Sequence, residues 1–299
     1  MPPMTKVAAV LAALSLGSSA SAQTAPATAP AVPTATQRIA LVTGSTDGLG
    51  REVAQRLAAE GAHVIVHGRN VERGRAVVAG IAKTGKGSAR FYPADLASLA
   101  EVRRLAADIR RDYTRLDLLV NNAGIIARER ALSADGHELT FAVNYLSGYL
   151  LTYSLLPLVE QGRAPRIINV SSLAAAAIDF DDVMIERGYT SGRAYGQSKH
   201  AQVMFTIDLA EELKGKGIVV QALHPATYMN TTMVTSSGGT PRSTVDEGAD
   251  AVMNAITTTA PSGSYFVGQK PSAPPDRQAT DPAARRQLRE LSRKLTGVS

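Results

Sequence analysis

The chain has 299 residues, 44% hydrophobic and 19% charged, a composition that builds a buried core and excludes disorder or a coiled coil. Its net charge of +6 comes without basic runs interleaved with aromatics; the densest cluster, RRQLRELSRK at 285–294, carries Leu288, Leu291 and Leu295 at helical spacing and reads as the solvated face of a terminal helix, not a nucleic-acid site. With no cysteine, no HExxH pair among five histidines and no run of 18 apolar residues, the sequence excludes disulfides and thiol catalysis, offers no metal site and contains no membrane-spanning segment.

The N-terminal end stands apart from the rest. One positive charge in MPPMTK, the apolar stretch VAAVLAALSL (7–16) and the small-residue pattern ending at Ala22 read as a signal peptide over 1–22. The Pro/Ala/Thr-rich segment 23–37 reads as a flexible spacer. An N-terminal extension, or a start codon placed too early, is the alternative. Residues 38–299 are then the folded domain.

From Arg38 onward, short apolar runs alternate with amphipathic stretches. RIALVTG (38–44) predicts a buried strand, and GREVAQRLAAEG (50–61) a helix stopped by glycine. AHVIVHG (62–68) is a second strand, ERGRAVVAGIAK (72–83) a helix and SARFYPADL (88–96) a third strand. LAEVRRLAADIRRDY (99–113) has clear 3.6-residue periodicity; LDLLVNNAG (116–124) follows as the fourth strand, and 135–161 as a long helical stretch. RIINVSS (166–172) is the fifth strand, 195–215 a helix, and IVVQALHP (218–225) the sixth strand, halted by proline. TVDEGADAVMNAIT (244–257) opens with Thr244 and Glu247 at capping-box spacing, and SYFVG (264–268) is the last strand. Strict alternation implies βαβ units: an α/β, doubly wound, Rossmann-like single domain with about seven parallel strands and helices on both faces.

The chemistry-bearing residues collect at the C-terminal ends of these strands, the edge where an open parallel sheet binds ligands. TGSTDGLG (43–50) joins the first strand to the first helix. Gly44, Gly48 and Gly50 permit a tight turn and close approach of a pyrophosphate, with Ser45, Thr46 and Leu49 between them at the helix N-terminus. The second strand ends in Gly68–Arg69, where an NAD site usually has an acid; Arg69 instead suits a 2′-phosphate, favouring NADP(H) over NAD(H). Stacking of Arg69 on adenine is the other role it could take. Asp95 and Leu96 close the third strand, placing a carboxylate acceptor near an adenine. Asn122, Ala123 and Gly124 close the fourth, small enough for a flat cofactor to lie against the backbone.

In AYGQSKH, Tyr195 and Lys199 are four residues apart on a helix and share one face. A phenol has a pKa of about 10, and an adjacent ammonium favours the phenolate, which would make Tyr195 a general acid or base at a substrate oxygen. Lys199 also reaches for ribose hydroxyls. Ser172 ends the fifth strand and offers a hydrogen bond to the same substrate oxygen, and Asn144 in FAVNYLSG stands ready to hold a water behind Lys199.

Taken together, TGSTDGLG, ADL, NNAG, Asn144, NVSS and YGQSK resemble, in order, the motifs of the short-chain dehydrogenase/reductase family over about 38–270. The resemblance is to the branch of retinol dehydrogenases and protochlorophyllide reductases, on GRNVERG and on the long segment between Ser172 and Tyr195. It implies a catalytic set of Asn144, Ser172, Tyr195 and Lys199, with Ser172 chosen as the second serine of its pair. It also implies a nicotinamide contact after Pro225, for which Thr227 and Thr231 are both candidates because Ala226 replaces the family's glycine. The family is typically dimeric or tetrameric, and this branch often uses NADP(H) and lipophilic carbonyls or alcohols. His200 departs from the leucine usual after SK. The signal-like leader points to export and NADP(H) to the cytoplasm, so the compartment stays open. The expected function is NADP(H)-dependent hydride transfer between nicotinamide and the carbonyl or alcohol carbon of an apolar small molecule, with a non-catalytic NADP(H) sensor as the alternative.

Overall fold

Short runs of β-branched and aliphatic residues become the strands of one sheet, because each is buried on both faces. In the computed structural model, which describes Met1 and residues 31–298, these are β1 (Ile39–Val42), β2 (His63–Gly68), β3 (Ser88–Pro93), β4 (Leu118–Asn121), β5 (Arg166–Val170), β6 (Val219–His224), β7 (Tyr265–Val267) and β8 (Lys270–Ser272). Their order across the sheet is β3-β2-β1-β4-β5-β6-β7-β8. All pairings are parallel except the last, in which Phe266 lies opposite Pro271. Seven parallel strands match the expectation; the eighth, antiparallel strand has no apolar pattern and its three residues are all exposed. The signal-peptide reading, and the spacer up to residue 30, lie outside the described residues. The end of that spacer is tied down: the Ala35 carbonyl accepts from Arg163 Nη1 at 2.9 Å and the Gln37 carbonyl from Arg115 Nη2 at 2.7 Å.

Helices cover both faces. On one lie α1 (Gly48–Ala59), α2 (Val71–Thr84) and α8 (Val245–Thr257), packing Val53, Leu57, Val77 and Ile81 over β1, β2 and β3, and Val252 over β5 and β6. The other face carries α3 (Leu99–Asp112), α5 (Ser147–Val159), α6 (Ser191–Glu212) and α9 (Pro282–Thr296). The periodicity of α3 is met: Leu99, Val102, Leu105, Ala106 and Ile109 are all buried. Each such aliphatic side chain contributes roughly 1.5–3 kcal/mol by leaving water. The capping box of α8 is present, with Thr244 and Glu247 bonded reciprocally. In α9, Leu288 is buried and Leu291 and Leu295 pack against the core, as the leucine spacing predicts, while Arg285 is drawn inside to pair with Glu211 at 2.8 Å.

Two helices differ from their expected limits. The stretch 135–161 is helical only over 139–159. It opens as a single turn, α4 (Leu139–Phe141), capped by Glu138, whose carboxylate accepts from the N–H groups of Thr140 and Phe141. A π turn (Ala142–Leu146) then precedes α5. Periodicity alone does not reveal a π turn, which inserts one residue without changing composition. The helix expected at 195–215 begins at Ser191, because Thr190 caps it by accepting from Arg193 N at 3.1 Å. The short α7 (Thr232–Ser236) buries none of its residues and left no apolar signal to read.

Candidate active site

The strand order reverses between β1 and β4, and a cleft of about 1010 Å³ opens over their C-terminal ends. Gly44, Thr46, Gly48, Leu49, Gly50, Arg69, Asp95, Leu96, Asn122, Ala123, Gly124, Ser172, Tyr195, Lys199, Pro225 and Thr227 all line it. Of the residues expected from the sequence, only Ser45 and Asn144 stand behind the wall.

The Gly-rich turn is built by close approach. Gly44 has φ +65°, and a Cβ there would meet Ala123 Cα at 3.0 Å; a Cβ on Gly50 would sit 2.4 Å from both the Gly44 carbonyl and Asn122 Nδ2. Asn122 holds the turn by donating from Nδ2 to the Thr43 carbonyl at 2.8 Å. Thr43 Oγ1 in turn accepts from the backbone N–H groups of Asn122 and Ala123, both at 3.0 Å. Buried Ser45 donates to the Val42 carbonyl at 2.7 Å and accepts from His67 N at 3.0 Å, so it shapes the turn from inside. His67 Nδ1 accepts from Gly44 N at 3.1 Å; burial holds this imidazole down at about 4. Asp47 caps α1 by accepting from Gly48 N at 2.8 Å. Leu49 and Gly50, in the first turn of α1, line the cleft with the helix dipole behind them. That cradle fits a dinucleotide pyrophosphate. Arg69 is exposed at the rim, 3.6 Å from Asp95, and Asp95 also accepts from Ala97 N at 3.0 Å.

At the other end of the cleft, α6 presents Tyr195 and Lys199. Lys199 Nζ lies 5.6 Å from the centre of the Tyr195 ring. It donates to the Val170 carbonyl at 2.8 Å and to Gln202 Oε1 at 3.0 Å. A Cβ on Gly124 would stand 3.4 Å from Lys199 Nζ and 3.3 Å from Asn144 Oδ1, so these groups surround one point. The two serines of NVSS divide their work. Ser171 Oγ is buried and donates to the Lys199 carbonyl at 2.7 Å, whereas Ser172 faces the cleft and accepts from Ala174 N at 3.1 Å.

Electrostatics here differ from the expectation in one respect. The spacing predicts that Lys199 lowers the Tyr195 pKa, but burial pushes the phenol up, and the Ser172 hydroxyl beside it is what pulls the other way. Lys199 is itself desolvated, and burial pulls its amine down to about 7. Asn144 sits in the π turn, and its side chain is well bonded. Oδ1 accepts from Ile125 N at 2.7 Å, and Nδ2 donates to the Ile125 carbonyl and to Ser198 Oγ. It braces the loop after β4 against α6.

Beyond β6, Thr227 Oγ1 is 3.0 Å from His224 Nε2, and Thr231 caps α7 while its methyl packs beside Gly48. Thr232 Oγ1 donates to Asp47 at 2.8 Å, and Arg128 to the Ser236 carbonyl, so α7 bridges the two rims of the cleft. Ile125, Ile126, Leu173, Tyr228, Met229 and Met233 make that end apolar. Tyr189 is not part of the lining; its hydroxyl donates to the Ala127 carbonyl at 2.9 Å. Sequence reasoning missed His67, Gln202 and Asp47. Gln202 carried a usable signal, since it lies three residues beyond Lys199 on the same helix face; His67 and Asp47 carried none.

The sequence pattern described as short chain dehydrogenase matches residues 38–241. The chain is 34% identical to retinol dehydrogenase 13 of Homo sapiens, across 86% of this chain and 84% of that protein. It is 37% identical to retinol dehydrogenase 11 of Mus musculus but spans only 61% of that relative's length. Its fold is similar to NADPH-bound carbonyl reductase from chicken fatty liver, with a TM-score of 0.63, 26% identity, and coverage of 79% of this chain and 99% of that one. Among the described residues, no helix is long and apolar enough to cross a membrane.

Proposed function

Because the chain belongs to the short-chain dehydrogenase/reductase family and is an oxidoreductase of it, we propose that it interconverts the carbonyl and alcohol forms of an apolar small molecule with NADP(H) as cofactor. The observation that carries this reading is the convergence of Ser172, Tyr195 and Lys199 on the apolar end of one cleft whose other end is the glycine cradle. Gly44, Gly48, Gly50, Asn122 and Gly124 would hold the dinucleotide, and Arg69 its 2′-phosphate. When bound, the nicotinamide supplies or takes the hydride.

The protein's own groups handle the oxygen and its proton. Tyr195 Oη gives a proton to the carbonyl oxygen in reduction and takes it back in oxidation. Ser172 Oγ, beside that phenol, fixes the oxygen. Lys199, in its ammonium form, eases departure of the phenolic proton and binds ribose hydroxyls. Asn144 holds the loop and helix on either side of Lys199, supporting the proton's onward path. The apolar residues around Leu173 and Met233 exclude water from the reacting carbon and favour a lipophilic substrate. The NADP-bound neighbour and the retinol dehydrogenase relatives support both halves of the proposal.

The test is oxidation of NADPH, beside NADH, over aldehydes and ketones graded in size and polarity, with the Tyr195→Phe variant alongside. Turnover that prefers NADPH and apolar carbonyls is expected, with the variant about 100-fold slower or worse while still binding cofactor. Near-normal turnover by Tyr195→Phe refutes the mechanism; cofactor binding without turnover on any carbonyl points instead to a regulatory protein.

A further inference from the structure

Lys199 is a buried amine with no carboxylate beside it. Burial pulls its ionisation down, and the titratable group that faces it is Tyr195, itself neutral. An ammonium in such a place survives only if oxygen acceptors replace the water it has lost. Two do: the Val170 carbonyl at 2.8 Å and Gln202 Oε1 at 3.0 Å. An ammonium has three donors, so one N–H is left for the cleft that Lys199 lines.

The stretch of α6 that carries Gln202 is held through its backbone by a buried polar chain. Thr206 Oγ1 donates to the Gln202 carbonyl at 2.7 Å and is within 2.8 Å of Asn169 Nδ2. Asn169 Oδ1 accepts from Asn121 Nδ2 at 2.9 Å, and Asn121 also donates to Thr152 Oγ1 at 3.0 Å. The chain ties the C-terminal ends of β4 and β5 to α5 and α6. Gln202 itself is 3% exposed, so its amide has little freedom to turn away.

Resting on the oxidoreductase reading, we propose that Gln202 is a positioning residue for Lys199: its amide oxygen stabilises the ammonium form and aims the remaining N–H at the cofactor end of the cleft. A neutral acceptor does this without a drawback a carboxylate would bring, because a carboxylate would neutralise the field that Tyr195 needs from the ammonium.

The test follows Lys199 directly, without cofactor, as the pH dependence of its acylation by trace acetic anhydride, read by mass spectrometry in the full chain. Gln202→Met keeps the volume and removes the acceptor; Gln202→Glu keeps an acceptor and adds charge. Circular dichroism and thermal melting report whether each variant is folded. The Lys199 midpoint is expected to fall by about one pH unit or more in Gln202→Met and to rise by a similar amount in Gln202→Glu. The upper-pH limb of kcat/KM for carbonyl reduction should move the same way in each variant, while KM for the carbonyl changes little. An unmoved Lys199 midpoint in folded Gln202→Met overturns the proposal, whatever happens to activity. If the midpoint moves but no carbonyl is turned over by the wild-type protein, the Gln202–Lys199 link stands and the oxidoreductase reading fails instead.

Discussion

His67 couples the pH of the solution to the shape of the Gly-rich turn. Its ring is 2% exposed, and its Nδ1 accepts from Gly44 N, so only the neutral form suits the site. Burial lowers its pKa from 6.5 to about 4, against opposing pulls from the Ala94 backbone and the Asp95 charge. A histidine with a lowered folded pKa leaves the unfolded chain holding the extra proton between those two values. Stability is therefore intact above pH 6.5 and drains away as the pH falls toward 4. Between pH 7 and pH 5 this one group costs about 2 kcal/mol. His63 and His224, also buried and also held at about 4, add similar losses, and burial lowers the fully buried His200 too, so acid acts through four histidines. His67→Asn keeps an acceptor near the Nδ1 position but does not titrate. Urea unfolding at pH 7 and pH 5 should show the variant losing about 2 kcal/mol less than the wild type across that interval. An identical loss in both proteins would refute the assignment of His67 as a buried neutral acceptor.

Two further perturbations address the cofactor end of the cleft. Gly50→Ala puts a methyl 2.4 Å from the Gly44 carbonyl and Asn122 Nδ2, so the turn must open; about 1–3 kcal/mol of stability and most dinucleotide affinity should be lost in urea and fluorescence titrations. Arg69→Ser should weaken NADPH binding about 10- to 100-fold and leave NADH nearly unchanged, because only the 2′-phosphate loses a charge-assisted partner; equal effects on both cofactors would favour adenine stacking.

The sequence made the fold legible where burial is two-sided. Runs such as IALV and HVIVHG, bounded by glycine, read as interior strands, and the glycines and polar residues at their ends marked the cleft. Signals failed where structure rests on few contacts or on partners distant in sequence. The π turn at 142–146 changes hydrogen-bond register without altering composition, and α7 buries nothing. Tyr195 and Lys199 could be named from their spacing. Their ionisation could not, because it depends on how deeply Lys199 is buried and on the carbonyl of Val170 on another element. Gln202 shows the same limit from the other side: its position on α6 is readable, but its bond from Lys199 and the network through Asn169 and Asn121 that ties this stretch of α6 to the sheet are products of packing.

The antiparallel strand β8 bears on how the molecule behaves in crowded solution. An outer strand exposes a row of unpaired N–H and C=O groups that another chain can extend into an aggregate. Here that row is three residues long, begins with a lysine and has proline at its centre, so it offers neither the length nor the donors for a further strand. By reversing direction for one short pass, the sheet ends in a strand that no other chain can easily continue.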